Sequence, residues 1–162
     1  MAKGTIVTSV TDVLAICSDI IESAENEVVY ISPPSLLVLA SQFSLTEETK
    51  VFMRKGGRVR GIANISYPYI GEIRDFLNGG VDVHHFHQYL GIFMLLGDET
   101  ESISTMTVNE ESLSIDTPVV ALWNSNHTYA EYLMSTFNFA WEQSVSAAER
   151  IEELLKEGPP GI

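Results

Sequence analysis

The sequence holds a single cysteine, Cys17, so no internal disulfide can form. That scarcity fits a reducing, cytoplasmic setting. Basic residues are also few: nine lysines and arginines stand against 22 aspartates and glutamates, for a net charge of −13. So acidic a chain repels phosphate backbones and anionic membranes unless its cations gather in one place. Arg54, Lys55, Arg58 and Arg60 come nearest to a cluster. The first two, however, stand just before Gly56-Gly57, where cations suit the end of a helix. Neither direct nucleic-acid binding nor membrane binding is expected. No apolar run approaches the ~20 residues of a membrane span. The opening MAKGTIVTSVTD lacks the basic-then-apolar form of a signal peptide. Cys-x-x-Cys, His-Glu-x-x-His, Gly-x-Ser-x-Gly and a glycine-rich phosphate loop are all missing.

What remains is the profile of one folded domain over residues 1–157 with a flexible tail, 158–162. Of the chain's 162 residues, 45% are apolar and 19% charged, enough to build a core. Apolar spacing predicts a helix over 9–24, started by Ser9 and Asp12, with Cys17 as a small core residue on its apolar face. EVVYIS (27–32) is a strand stopped by Pro33-Pro34. A helical stretch at 35–43 and a second helix from a capping box at Ser44–Glu47 to Lys55 follow. RVRGIAN (58–64) is a strand, Ser66 and Pro68 open a helix, and VDVHHFH (81–87) is another strand. Gln88 and Tyr89 break the chain before LGIFMLLG (90–97), and ESISTM (101–106) and PVVALW (118–123) add two strands. Thr128 with Glu131 starts a long final helix, whose stripe runs from Ala130 through Phe137 and Trp141 to Leu155. Phe137 and Trp141 are read as packing on the sheet, while Ile151 and Leu155 outrun the domain body and offer an interface. Alternating strands and helices followed by strands in series predict an α/β fold. It has a single mixed central sheet of about 6–7 strands, helices on both faces and a long C-terminal helix.

Three histidines crowd into VHHFH. On an extended segment His85 and His87 share a face and His84 points away. A metal site needs three or four ligands, and the spacing places neither Asp98 nor His127 beside them, so no metal and no cofactor is expected. The histidines read as residues of a strand end, bonded to backbone or titrating near neutrality.

Residues 91–106, GIFMLLGDETESISTM, resemble the core hairpin of the phospholipase D superfamily, which carries His-x-Lys, four residues and then Asp. EVVYISPP (27–34), GGRVRGIAN (56–64) and GGVDVHHFH (79–87) resemble its first three core strands. FNFAW (137–141) is similar to its closing helix. The set also resembles the ligand-sensing domains of TrmB-type archaeal transcription regulators. In that superfamily the histidine attacks phosphorus and the lysine stabilises phosphoryl charge. The register puts Gly91 and Phe93 at those two places and keeps Asp98.

The resemblance therefore implies a catalytically dead member: a non-catalytic ligand-binding or regulatory domain of the sensor type, acting as a homodimer and signalling to a partner protein. Its ligand site is expected at the strand ends, where Gly91 leaves space and Phe93 forms a wall. Ser32, Asn64, His85 or His87, Asp98, Thr105 and Asn124 would form its polar rim. Each of these also has a plain role in ending a strand or capping a turn. Two alternatives stay open: a divergent phosphodiesterase or nuclease using His87 or His127 with Asp98, and an interaction module with no ligand.

Overall fold

The computed structural model describes residues 4–88, 90–106 and 113–161. Tyr89, read above as part of a break, and the last tail residue lie outside them. Eight strands form one mixed sheet in the order β1-β7-β6-β5-β2-β3-β4-β8. The strands are β1 (Thr5–Val7), β2 (Glu27–Ile31), β3 (Arg58–Ala63), β4 (Asp82–His85), β5 (Ile92–Gly97), β6 (Glu101–Met106), β7 (Ala121–Asn124) and β8 (Val145–Ser146). The helices are α1 (Val10–Ser23), α2 (Pro34–Ser41), α3 (Leu45–Arg54), α4 (Ile70–Asn78), α5 (His127–Glu142) and α6 (Ala147–Glu157). No helix among the described residues is long and apolar enough to cross a membrane.

The central strands β2, β3 and β4 are parallel, because helices carry the chain back between them. β5, β6 and β7 follow as antiparallel neighbours. The β5–β6 turn is made by Asp98 and Glu99, both with positive φ (51° and 56°). β2 is apolar on both sides, as a strand covered on both faces must be. Val28 and Tyr30 face a core shared with α1, α2, α3, α4 and α6, while Val29 and Ile31 face a smaller core under α5.

Ser9 caps α1 as its sequence predicts, its Oγ accepting the Asp12 N–H at 3.1 Å. Two of the other start signals are corrected. Ser44 gives α3 no side-chain cap and instead donates to the Glu48 carboxylate. α5 is capped by Asn126, whose Oδ1 accepts the Tyr129 N–H at 3.0 Å, while Glu131 pairs with His127.

The C-terminal stripe belongs to two helices rather than one. After Glu142 the chain crosses the sheet edge as β8, where His84 pairs with Ser146 and His85 with Val145. α6 then packs on the opposite face from α5, with Ala147, Ile151 and Leu154 in the larger core. Ile151, expected at an interface, is buried within the chain, whereas Leu155 is exposed. The missed signal is Ser146-x-x-Glu149, a start motif in mid-stripe: Ser146 Oγ accepts the Glu149 N–H at 3.2 Å.

Candidate functional site

The parallel strands β2, β3 and β4 end together, and β5 begins beside them. This brings Ser32, Asn64, His85, Gly91, Phe93 and Thr105 to one end of the sheet. Asp98 and Asn124 are not with them. Asp98 closes the far end of β5, and a six-residue strand at ~3.3 Å per residue sets it about 20 Å from Gly91. Asn124 pairs with Ser102, at the Asp98 end.

Asp98 has a structural task at that end. Its carboxylate accepts the backbone N–H groups of Glu25 (2.7 Å), Asn26 (2.8 Å) and Glu27 (2.9 Å), and its own N–H donates to Glu27 O at 2.8 Å. Partial burial raises its pKa, but the three amides outweigh this and hold it below the ordinary value. The aspartate thus ties the β5–β6 turn to the entry of β2.

At the other end, the space expected beside Gly91 is closed. Ile31, Pro33, Phe86, Leu90 and Ile92 leave a hollow of about 10 Å³ there, roughly the volume one water needs. Gly91 has φ of +66°, a conformation in which an L side chain is strained. Phe93 does not wall the hollow. Its strand register turns it to the larger core, where it is 4% exposed. The polar rim is committed to local structure: Ser32 Oγ donates to Pro33 O (3.0 Å), Asn64 Nδ2 to Phe86 O (3.0 Å) and Thr105 Oγ1 to Val120 O.

The histidines separate by environment. His85 Nδ1 accepts the Ile65 N–H at 2.9 Å. Burial first, then Arg150 and His87, lower its pKa to about 4, so the ring is neutral near pH 7. With Nδ1 accepting, the ring proton of the neutral form is assigned to Nε2, and no lone pair remains for attack on phosphorus. Arg150 is tied as well, Nε to Ile65 O at 3.1 Å and Nη1 to Glu153 at 2.8 Å. His84 stacks on Trp141 with ring centroids 3.6 Å apart, and its nitrogens meet Ser144 Oγ (2.7 Å) and Asp82 (3.4 Å). His127 is at the start of α5, paired with Glu131. His87 is exposed and leans on Phe86. Among the described residues, no three His, Cys, Asp or Glu side chains stand together as a metal site.

Three of the four cations read as a loose cluster are paired with acids: Arg54 with Glu47, and both Arg58 and Arg60 with Glu27. Cys17 is buried in α1, and burial pushes its thiol up to about 12, where it stays protonated and inert.

No protein-family model and no curated protein matches the sequence. Solved structures do match the fold. Nuc from Salmonella typhimurium, a phospholipase D family member, superposes over 90% of this chain and 98% of its own with a TM-score of 0.69 at 12% identity. The fold is phospholipase D-like. NucT from Helicobacter pylori matches over 90% of this chain and 99% of its own, with a TM-score of 0.67 at 14% identity. TrmBL2, an archaeal chromatin protein whose structure shows a novel mode of DNA binding, matches at a TM-score of 0.68 and 15% identity. There the match covers 90% of this chain and 54% of TrmBL2, so the chain spans about half the length of that protein. The phospholipase D-like topology accounts for the mixed sheet order and for the position of the β5–β6 hairpin at its centre.

Proposed function

We propose that this chain is a non-catalytic regulatory domain on a phospholipase D-like fold, of the sensor type, which binds a small molecule and signals to a partner protein as a cytoplasmic homodimer. The observation that carries the reading is at the β5 start. The places that phosphoryl transfer would give to an imidazole and an ammonium hold Gly91, in a backbone conformation suited to glycine, and Phe93, turned into the core. The one histidine buried at the neighbouring strand ends, His85, has its acceptor nitrogen occupied by Ile65. A self-complementary contact has support in α5, where Tyr132 and Phe139 are exposed two turns apart on one side of the helix.

One observation favours a second reading, a divergent phosphodiesterase: His87 lies close enough to His85 to act on its charge, and Arg150 does the same. Hydrolysis of a chromogenic phosphodiester by the wild type and by His87→Ala separates the two. The regulatory reading expects no turnover above buffer from either. Wild-type turnover that disappears in His87→Ala would establish the enzyme instead.

A further inference from the structure

Behind Phe93 the larger core is incompletely filled. A cavity of about 60 Å³ lies between β2, β3 and β5 on one side and α1, α2, α3 and α4 on the other. Leu14, Leu37, Val59 and Phe93 are among its walls, and no charged side chain borders it. Tyr30 and Thr46 border it too, and Tyr30 Oη and Thr46 Oγ1 are each buried with no hydrogen-bond partner. Tyr30 is only 7% exposed. Buried polar groups are bonded in the great majority of cases, so two orphan hydroxyls on one cavity are an exception that calls for a cause.

The backbone is built to put the phenol there. Tyr30 pairs with Gly61 across β2 and β3, and its ring lies over that glycine. A Cβ at position 61 would stand 2.0 Å from Tyr30 Cζ and 2.4 Å from its hydroxyl. Thr46 and Phe76 border both the cavity and a surface cleft of about 600 Å³ between α3 and α4.

We infer that this cavity is a binding site for a small neutral molecule, an apolar body of a few carbons carrying one hydroxyl or carbonyl oxygen, which Tyr30 and Thr46 recognise. A charged ligand would be stripped of water with no opposite charge to meet it. A sugar or other polyol has more hydroxyls than two side chains can satisfy. The size bounds the body: one water needs roughly 10–15 Å³ and a cavity of about 150 Å³ holds the six carbons of benzene, so a cavity of about 60 Å³ takes about two or three carbons. The inference rests on the ligand-binding reading above and names its ligand class. It concerns a different place from the phosphodiester assay, so each can fail alone.

The test is a titration of the full chain, labelled at Leu and Val methyls, with n-propanol, propane under pressure and glycerol, followed by NMR. The propanol should shift the methyls of Leu14, Leu37 and Val59 saturably, and glycerol should not. Tyr30→Phe and Thr46→Val should each weaken n-propanol about three- to tenfold, the loss expected for one hydrogen bond. Propane should bind weakly and equally to all three proteins. Leu14→Phe, which fills the cavity, should abolish the n-propanol shifts. Thr46→Val, in the first turn of α3 and half-buried, carries the test if Tyr30→Phe does not fold. Failure of n-propanol to saturate, equal affinity with and without the hydroxyls, or saturable binding of glycerol would each overturn the inference.

Discussion

The imidazole of His85, at the end of β4, takes the backbone N–H of Ile65, two residues past the end of β3, at 2.9 Å. The bond requires an unprotonated Nδ1, and burial with Arg150 nearby keeps the ring neutral down to about pH 4 against an ordinary 6.5. In the unfolded chain the same histidine protonates near 6.5. The folded form is depressed, so its full contribution is present above that pH. Between about 6.5 and 4 the unfolded chain binds a proton that the folded chain does not, and stability falls as the pH falls. Denaturant titrations at pH 7 and pH 4.5 should differ by on the order of 2 kcal/mol from this residue. His85→Asn, which keeps an acceptor and removes the titration, should flatten that part of the slope. His84, lowered chiefly by burial, contributes in the same direction and should persist in the variant. An unchanged slope would refute the assignment.

Asp98, in the turn between β5 and β6, binds three amides at the foot of β2. Asp98→Ala should cost about 2–4 kcal/mol of stability, since it leaves those donors without a charged acceptor. Its depressed pKa adds stability that is complete above the ordinary carboxylate value and is lost as pH falls through the folded pKa. Urea unfolding measures the cost. The affinity for n-propanol, read separately, should stay unchanged, because the aspartate does not border the cavity.

Arg60 forks onto Glu27 at 2.9 and 3.1 Å under α5, with its guanidinium 5.0 Å from the Phe137 ring centroid and 5.1 Å from that of Trp141. The arginine side chain is 11% exposed and the glutamate 26%. Arg60→Ala should destabilise the chain by about 2–4 kcal/mol, because it leaves a largely buried carboxylate only the longer contact with the exposed Arg58 at 3.7 Å. Arg60→Lys should recover only part, since an ammonium cannot make the paired bonds or lie flat on the rings. Guanidinium melts of the two variants check this, and a loss below ~1 kcal/mol in Arg60→Ala would show the pair to be no more than a surface contact.

The layout of the fold was legible because it is written in short-range signals. Pro33-Pro34 stops β2, Gly56-Gly57 ends α3, and the β-branched run at 27–31 can only be a strand covered on both sides. The break between α5 and α6 was hidden by a stripe that keeps helical spacing across Ser144–Ser146. Only the edge of β4 turns those residues into a strand. β1, three residues long, carries too little pattern to stand out. In the site, counting back from Asp98 puts Gly91 and Phe93 where the resemblance would place histidine and lysine, and that reading needs only the sequence. That Asp98 and Asn124 belong to the opposite end, and that Phe93 faces inward, depends on strand direction and register, which spacing does not fix. The cavity at Tyr30 and Thr46 left no mark in the sequence at all. The place of the Tyr30 ring at its wall depends on Gly61 lying across from it in a parallel pair.

The proposed lack of a usable nucleophile at the strand ends is tested most directly by ¹⁵N spectra of the histidine rings recorded from pH 4 to 8. His85 should appear as the Nε2–H tautomer, neutral through pH 6, with its titration near 4. An Nδ1–H tautomer, or titration near neutrality with a free ring nitrogen, would contradict the account.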